Sequence, residues 1–113
     1  MSQITTHILD TSLGKPAANV PLKLEQKIGE SAWKTLAEGT TNTDGRVPNL
    51  LPKEMILPLG TYKMTFYTEG YFAEQNRENF YPVVEIQFHV SDATHYHVPL
   101  LLSPFGFSTY RGS

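Results

Sequence analysis

Short runs of alternating apolar and polar residues, broken by turn residues, dominate the chain. They predict strands near 4–10, 19–28, 33–39, 46–50, 61–68, 83–90, 95–103 and 106–111. In the second run Val20, Leu22, Leu24 and Ile28 share one parity, interrupted only by Gln26. Near 83–90, Val84, Ile86, Phe88 and Val90 face one way and Glu85, Gln87 and His89 the other. Gly14-Lys15-Pro16, Asp44-Gly45, Leu59-Gly60 and Ser103-Pro104 punctuate the runs. Asp44-Gly45 reads as the centre of a type I′ hairpin turn, which requires positive φ at both residues. One helix fits, with Thr68 capping Glu69 to Asn76 and Asn79-Phe80-Tyr81-Pro82 returning the chain to extended form. The pattern predicts an all-β protein, a β-sandwich with one short helix, as a single domain over residues 1–113.

The run 95–103 departs from simple alternation. Tyr96, Val98, Leu100 and Leu102 form an apolar face, but the opposite face carries His95, His97, Pro99, Leu101 and Ser103 and is also largely apolar. A sandwich normally leaves one face of each sheet in water. Two apolar faces predict a homo-oligomer with the histidine face at the interface; the alternative is that Leu101 is one of many ordinary exposed leucines. The tight link Ser103-Pro104-Phe105-Gly106 predicts a hairpin that sets Leu102 opposite Phe107, Leu101 opposite Ser108, Pro99 opposite Tyr110 and His97 opposite Gly112. His97 and Tyr110 then share a face as diagonal neighbours.

Size and composition narrow the function classes. The chain has 113 residues, enough for one core, and its 40% hydrophobic and 18% charged content argues against disorder. Nine Lys and Arg against eleven Asp and Glu give no electrostatic reason to expect nucleic acid or an anionic membrane as partner. Cysteine is absent, which excludes disulfides and thiolate metal sites. The first seven residues lack a basic and an apolar segment of the export type, no apolar run approaches the roughly 20 residues of a membrane span, and the expected location is cytoplasmic.

The residues able to do chemistry are few. His95 and His97, at i and i+2, project from one strand face; binding a metal there would need a third ligand, such as His7, and no Asp or Glu shares that face. No metal or cofactor is therefore expected. His7 reads equally as a structural or surface histidine. Arg46 is either a solvated turn residue or a guanidinium fixed by the Asp44-Gly45 turn, able to hold a planar, carbonyl-rich ligand through two parallel hydrogen bonds. Tyr110-Arg111-Gly112-Ser113 reads as a frayed end or, beside a polar face, as part of a site. Residue chemistry alone stops at a possible His/Arg/His/Tyr cluster without a substrate.

Whole-chain similarity goes further. Ile4-Thr5-Thr6-His7-Ile8-Leu9-Asp10, Gly14-Lys15-Pro16-Ala17, Thr43-Asp44-Gly45-Arg46, Gly60-Thr61-Tyr62, Phe80-Tyr81-Pro82, the block from His95 to Pro104, and Tyr110-Arg111-Gly112-Ser113 together resemble the transthyretin-like family. The match is to its enzymatic branch, the 5-hydroxyisourate hydrolases. The resemblance implies two four-stranded sheets and a homotetramer, a dimer of dimers with active sites where the dimers meet. It implies catalytic roles for His7, Arg46 and His97, and substrate-binding roles for Tyr110, Ser113 and the neighbouring His95. The implied reaction opens the ring of 5-hydroxyisourate, with no cofactor, giving 2-oxo-4-hydroxy-4-carboxy-5-ureidoimidazoline in purine catabolism after urate oxidation. The carrier branch of the same family has lysine, glutamate and threonine where this chain has His7, Arg46 and His97, which favours the hydrolase over a carrier.

Overall fold

Alternation does set the two sheets. In the computed structural model, which describes residues 2–113, β1 (Ile4–Asp10), β2 (Lys15–Pro16), β7 (Tyr96–Ser103) and β8 (Gly106–Thr109) form one sheet in the order β2-β1-β7-β8. The other sheet runs β4-β3-β5-β6, from β3 (Pro21–Lys27), β4 (Trp33–Thr40), β5 (Gly60–Phe66) and β6 (Val84–Val90). Its pairings are all antiparallel, whereas β1 and β7 run parallel, with Thr5 beside His97 and His7 beside Pro99. Inward-facing Ile4, Ile8, Leu22, Leu24, Met64, Phe66, Leu100 and Leu102 join one core between the sheets. Each such buried side chain contributes about 1.5–3 kcal/mol of transfer free energy. Among the described residues, no helix is long and apolar enough to cross a membrane.

Several expected boundaries differ, each for a local reason. No strand forms over 46–50: Arg46 makes only an isolated bridge, Pro48 has no N–H to pair, and Asn49 turns the chain at φ 57°. The irregular stretch that follows still fills the core, because Leu50, Leu51 and Leu57 are buried. It is tied down by the Leu51 N–H donating to Ser2 Oγ (3.1 Å) and the Leu57 N–H donating to Gln3 Oε1 (2.8 Å). The fourth strand of the first sheet is instead Lys15–Pro16, pairing with Leu9 and Asp10 just after the left-handed Gly14.

Ile28 lies past the end of β3 and is 60% exposed, so it does not continue the core parity of Val20, Leu22 and Leu24. A bulge where Leu24 meets Ala37 and Glu25 meets Thr35 shifts the β3–β4 register. The helix α1 (Glu69–Glu74) is shorter than expected, ending before left-handed Asn76. Thr68 precedes it without capping it: its hydroxyl donates to the Tyr81 carbonyl, and the Glu69 N–H donates to the Pro82 carbonyl instead.

The β7–β8 hairpin has the expected register. Leu102 pairs with Phe107 and Leu101 with Ser108, and the His97–Gly112 bridge forms beyond the strand end. The ladder lapses at Pro99, which has no N–H to donate.

Candidate active site

The site forms on the outer face of β1 and β7. Along β1, buried Ile4, Thr6, Ile8 and Asp10 alternate with half-buried Thr5, His7 and Leu9, so Thr5 and His7 share the outward face. Parallel pairing sets His97 beside Thr5, one step from His7 along the sheet.

Arg46 reaches this face through a loop that the Asn42 side chain builds. Asn42 Oδ1 accepts the Asp44 N–H (2.9 Å) and the Arg46 N–H (3.1 Å), while the Gly45 N–H donates to the Asn42 carbonyl (2.9 Å). The turn thus spans Asn42 to Gly45, and only Gly45 of the Asp44-Gly45 pair has positive φ, at 74°. The expected type I′ turn is not formed, because the turn starts one residue earlier, at Asn42, and leaves Gly45 at its left-handed exit. A Cβ on Gly45 would lie 2.5 Å from the Ile8 carbonyl oxygen, so glycine permits the loop to press on β1. The Ile8 N–H then donates to the Gly45 carbonyl (2.9 Å), and Arg46 bridges to His7.

The tail closes the other side. The Gly112 N–H donates to the His97 carbonyl (2.9 Å), and a Cβ on Gly112 would lie 2.6 Å from His97 Cδ2 and 3.2 Å from Pro99 Cγ. Pro99 is therefore covered from within the same chain, which accounts for part of the apolar outer face. Arg111 anchors the tail by stacking its guanidinium 4.2 Å above the Tyr96 ring. Tyr110 is 58% exposed and lines a hollow of about 350 Å³ with His97, Tyr96, Val98 and Arg111. Arg46 and Thr5 line a second hollow of about 320 Å³. His97 and Tyr110 thus share one hollow and Arg46 faces another. Ser113 is exposed next to Gly112.

Burial and a neighbouring cation lower the pKa of His7 and His97. Burial lowers the pKa of His7 below its usual 6.5, and the Arg46 charge lowers it further, against a weaker opposite pull from Asp44. Burial also lowers that of His97, reinforced by Arg46, His95 and His7, while the Thr5 main chain pulls the other way. Neutral imidazoles near a fixed cation can accept a proton at neutral pH, and the cation can stabilise an oxyanion. Among the described residues, no group of three or more His, Cys, Asp or Glu side chains is placed to hold a metal ion.

Thr5 is the first of two site residues that no local sequence signal predicts. Thr5 Oγ1 lies 2.7 Å from His95 Nε2 and 2.7 Å from His97 Nδ1. Its spacing of two from His7 was visible in the sequence, but the β1–β7 pairing that brings it to the histidines was not. Asn42, which builds the Arg46 loop, was missed as well.

Comparison with known proteins adds a family to this geometry. A family model described as the HIUase/Transthyretin family matches residues 4–112. A 5-hydroxyisourate hydrolase of Mus musculus is 47% identical over 114 residues, covering 99% of this chain and 96% of its own. The solved 5-hydroxyisourate hydrolase of Klebsiella pneumoniae aligns with a TM-score of 0.84 at 39% identity, covering 97% of this chain and 98% of its own. Sea bream transthyretin, solved in complex with thyroxine, aligns with a TM-score of 0.90 at 34% identity, covering 98% and 95%. The shared backbone does not separate a hydrolase from a thyroxine-binding protein; the side chains on it do.

Proposed function

The chain belongs to the HIUase/transthyretin family, and from that premise we propose that it hydrolyses 5-hydroxyisourate to 2-oxo-4-hydroxy-4-carboxy-5-ureidoimidazoline in purine catabolism. The observation that carries this reading is the convergence of Arg46, His7 and His97 on one sheet face, with Arg46 delivered there by its bridge to His7. The mouse and Klebsiella proteins that match nearly the whole chain bear the same activity in their names.

In the proposed mechanism the His7/His97 pair takes a proton from water as its oxygen bonds to the ring carbonyl carbon. The carbonyl oxygen gains negative charge, which Arg46 stabilises. The ring carbon–nitrogen bond then breaks, the departing nitrogen receives the proton from the imidazole, and a carboxyl group forms. The lowered histidine pKa values support this division, since each ring is in the base form at neutral pH. Tyr110, His95 and Ser113 position the substrate. The unit is residues 1–113 acting as one domain, assembled as a homotetramer through the outer face of β7 and working in the cytoplasm. Half-buried Leu101, on the outer face of β7 opposite Ser108, supports that assembly.

Ultraviolet monitoring of freshly generated 5-hydroxyisourate tests the activity directly. The protein should accelerate decay over the spontaneous rate, with or without a chelator. No acceleration would reject the hydrolase reading, and saturable thyroxine binding without turnover would replace it by a carrier. Sedimentation should give a tetramer; a monomer at micromolar concentration contradicts the assembly.

A further inference from the structure

Thr5 has no place in the mechanism above, yet among the described residues its hydroxyl alone joins two of the histidines. It is half-buried on β1, 2.7 Å from both His95 Nε2 and His97 Nδ1. A hydroxyl has one hydrogen, so it can donate to one ring and must accept from the other. The two rings are therefore not independent: if one presents an N–H to Thr5, the other presents a lone pair. They lie nearly parallel, at 29°, with centroids 6.3 Å apart, as two partners of one bridging oxygen. Thr5 occupies Nδ1 of His97 and leaves Nε2 as its free ring nitrogen.

We propose that Thr5 is a positioning residue that fixes His97 with its proton on Nδ1, keeps Nε2 open as the base, and connects His97 to His95 as a proton relay. The proposal rests on the hydrolase reading for its direction, since a base at Nε2 requires the proton on Nδ1. His97 Nδ1–H donates to Thr5 Oγ1, and the Thr5 hydroxyl donates to His95 Nε2. When His97 takes a proton from water at Nε2, its Nδ1 proton passes to Thr5 Oγ1 and the Thr5 proton passes to His95 Nε2. Positive charge moves to His95, and His97 is left neutral with the new proton on Nε2. The same two transfers run in reverse as Nε2 returns its proton to the departing ring nitrogen, so no proton is gained or lost.

The surroundings give this relay a purpose. Burial, and then the charges of Arg46, His95 and His7, disfavour a full positive charge on His97. Sharing the charge along the relay reduces that cost at the moment water is deprotonated. On its far side His95 has the Arg111 guanidinium, whose Nη2 lies 3.4 Å from the His95 carbonyl oxygen.

The test combines Thr5→Val, which keeps the shape and removes the hydroxyl, with Thr5→Ser, which keeps the hydroxyl. Nitrogen-15 spectra of histidine-labelled protein without substrate, at a pH where the rings are neutral, should show both His97 and His95 protonated on Nδ1 in the wild type and in Thr5→Ser. In Thr5→Val the His97 ring should lose that fixed tautomer. With 5-hydroxyisourate, kcat should fall on the order of 10-fold in Thr5→Val, the scale of one lost hydrogen bond. KM should change little, and Thr5→Ser should recover most of the rate. Wild-type His97 protonated on Nε2 would overturn the proposal, as would unchanged ring spectra in Thr5→Val or a Thr5→Ser variant as slow as Thr5→Val. Should Thr5→Val not fold, the wild-type tautomers and the Thr5→Ser rate still decide. A wild-type protein that leaves 5-hydroxyisourate untouched defeats the hydrolase reading, while its ring spectra separately test the Thr5 bridge.

Discussion

Asp10 and His7 stand three residues apart on β1 and face opposite sides of the same sheet. Asp10 is fully buried, and five donors satisfy it: the Ser12 N–H, the Ser12 hydroxyl and the Leu13 N–H at Oδ1, the Tyr71 hydroxyl and Arg77 Nη1 at Oδ2. Burial alone would raise its pKa, but the hydrogen bonds from Arg77, Ser12, Tyr71 and the Leu13 N–H outweigh it and hold the carboxyl far below its usual range. The cluster around His7 is assembled the other way. Arg46, His97 and His95 bring one sign of charge or potential charge to the same half-buried face. One end of the strand neutralises its buried charge and fastens α1 and the Ser12 turn to the sheet. The other gathers groups that repel each other when protonated, an arrangement useful for accepting and returning a proton and of no use for holding the fold.

Substitutions should separate the two ends. Arg77→Met leaves the Asp10 carboxylate buried without its cation and should lower unfolding free energy by about 3–5 kcal/mol. Denaturant titration would measure it, and the folded fraction should keep its specific activity. A loss below about 1 kcal/mol would place the Arg77–Asp10 pair among weak surface pairs. At the other end, His7→Asn or His97→Asn should cut turnover of 5-hydroxyisourate by roughly 10²-fold or more, the scale of a lost general base. Their stability at pH 7 should stay near that of the wild type. Near-normal rates in both variants would contradict the roles assigned to these histidines.

The smallest effect is in acid, where the two clusters should respond in different windows. Folding lowers the pKa of His7 and His97, so the folded state binds fewer protons than the unfolded one as pH drops through the ordinary value of 6.5. Stability should therefore decline modestly below about pH 6.5, and replacing both histidines should remove that decline. Asp10 is also lowered, from 3.8, so its contribution is complete above that value and is lost only at more acid pH. The acid limb of kcat/KM should lie below 6.5, following the histidines and not the carboxylate. An acid limb above 6.5 would show that a proton-accepting group other than these lowered imidazoles controls the rate.

The sequence by itself determined a good deal. Period-two alternation marked most of the strands, because a buried sheet face demands apolar residues at every second position. The Ser103-Pro104-Phe105-Gly106 link fixed the β7–β8 register and with it the meeting of His97 and Gly112. Family resemblance named His7, Arg46 and His97 before any geometry was known. Local signals misled where a nearby side chain outcompeted them. Asn42 captured the turn from Asp44-Gly45, and a main-chain carbonyl from Pro82 took the place of a Thr68 cap. What only the tertiary structure decided is the parallel pairing of β1 with β7. These strands lie about ninety residues apart in sequence. No local propensity sets that register; it follows from packing both inward faces into one core. That pairing carries Thr5 to His95 and His97, and the loop pressed against the same strand carries Arg46 to His7.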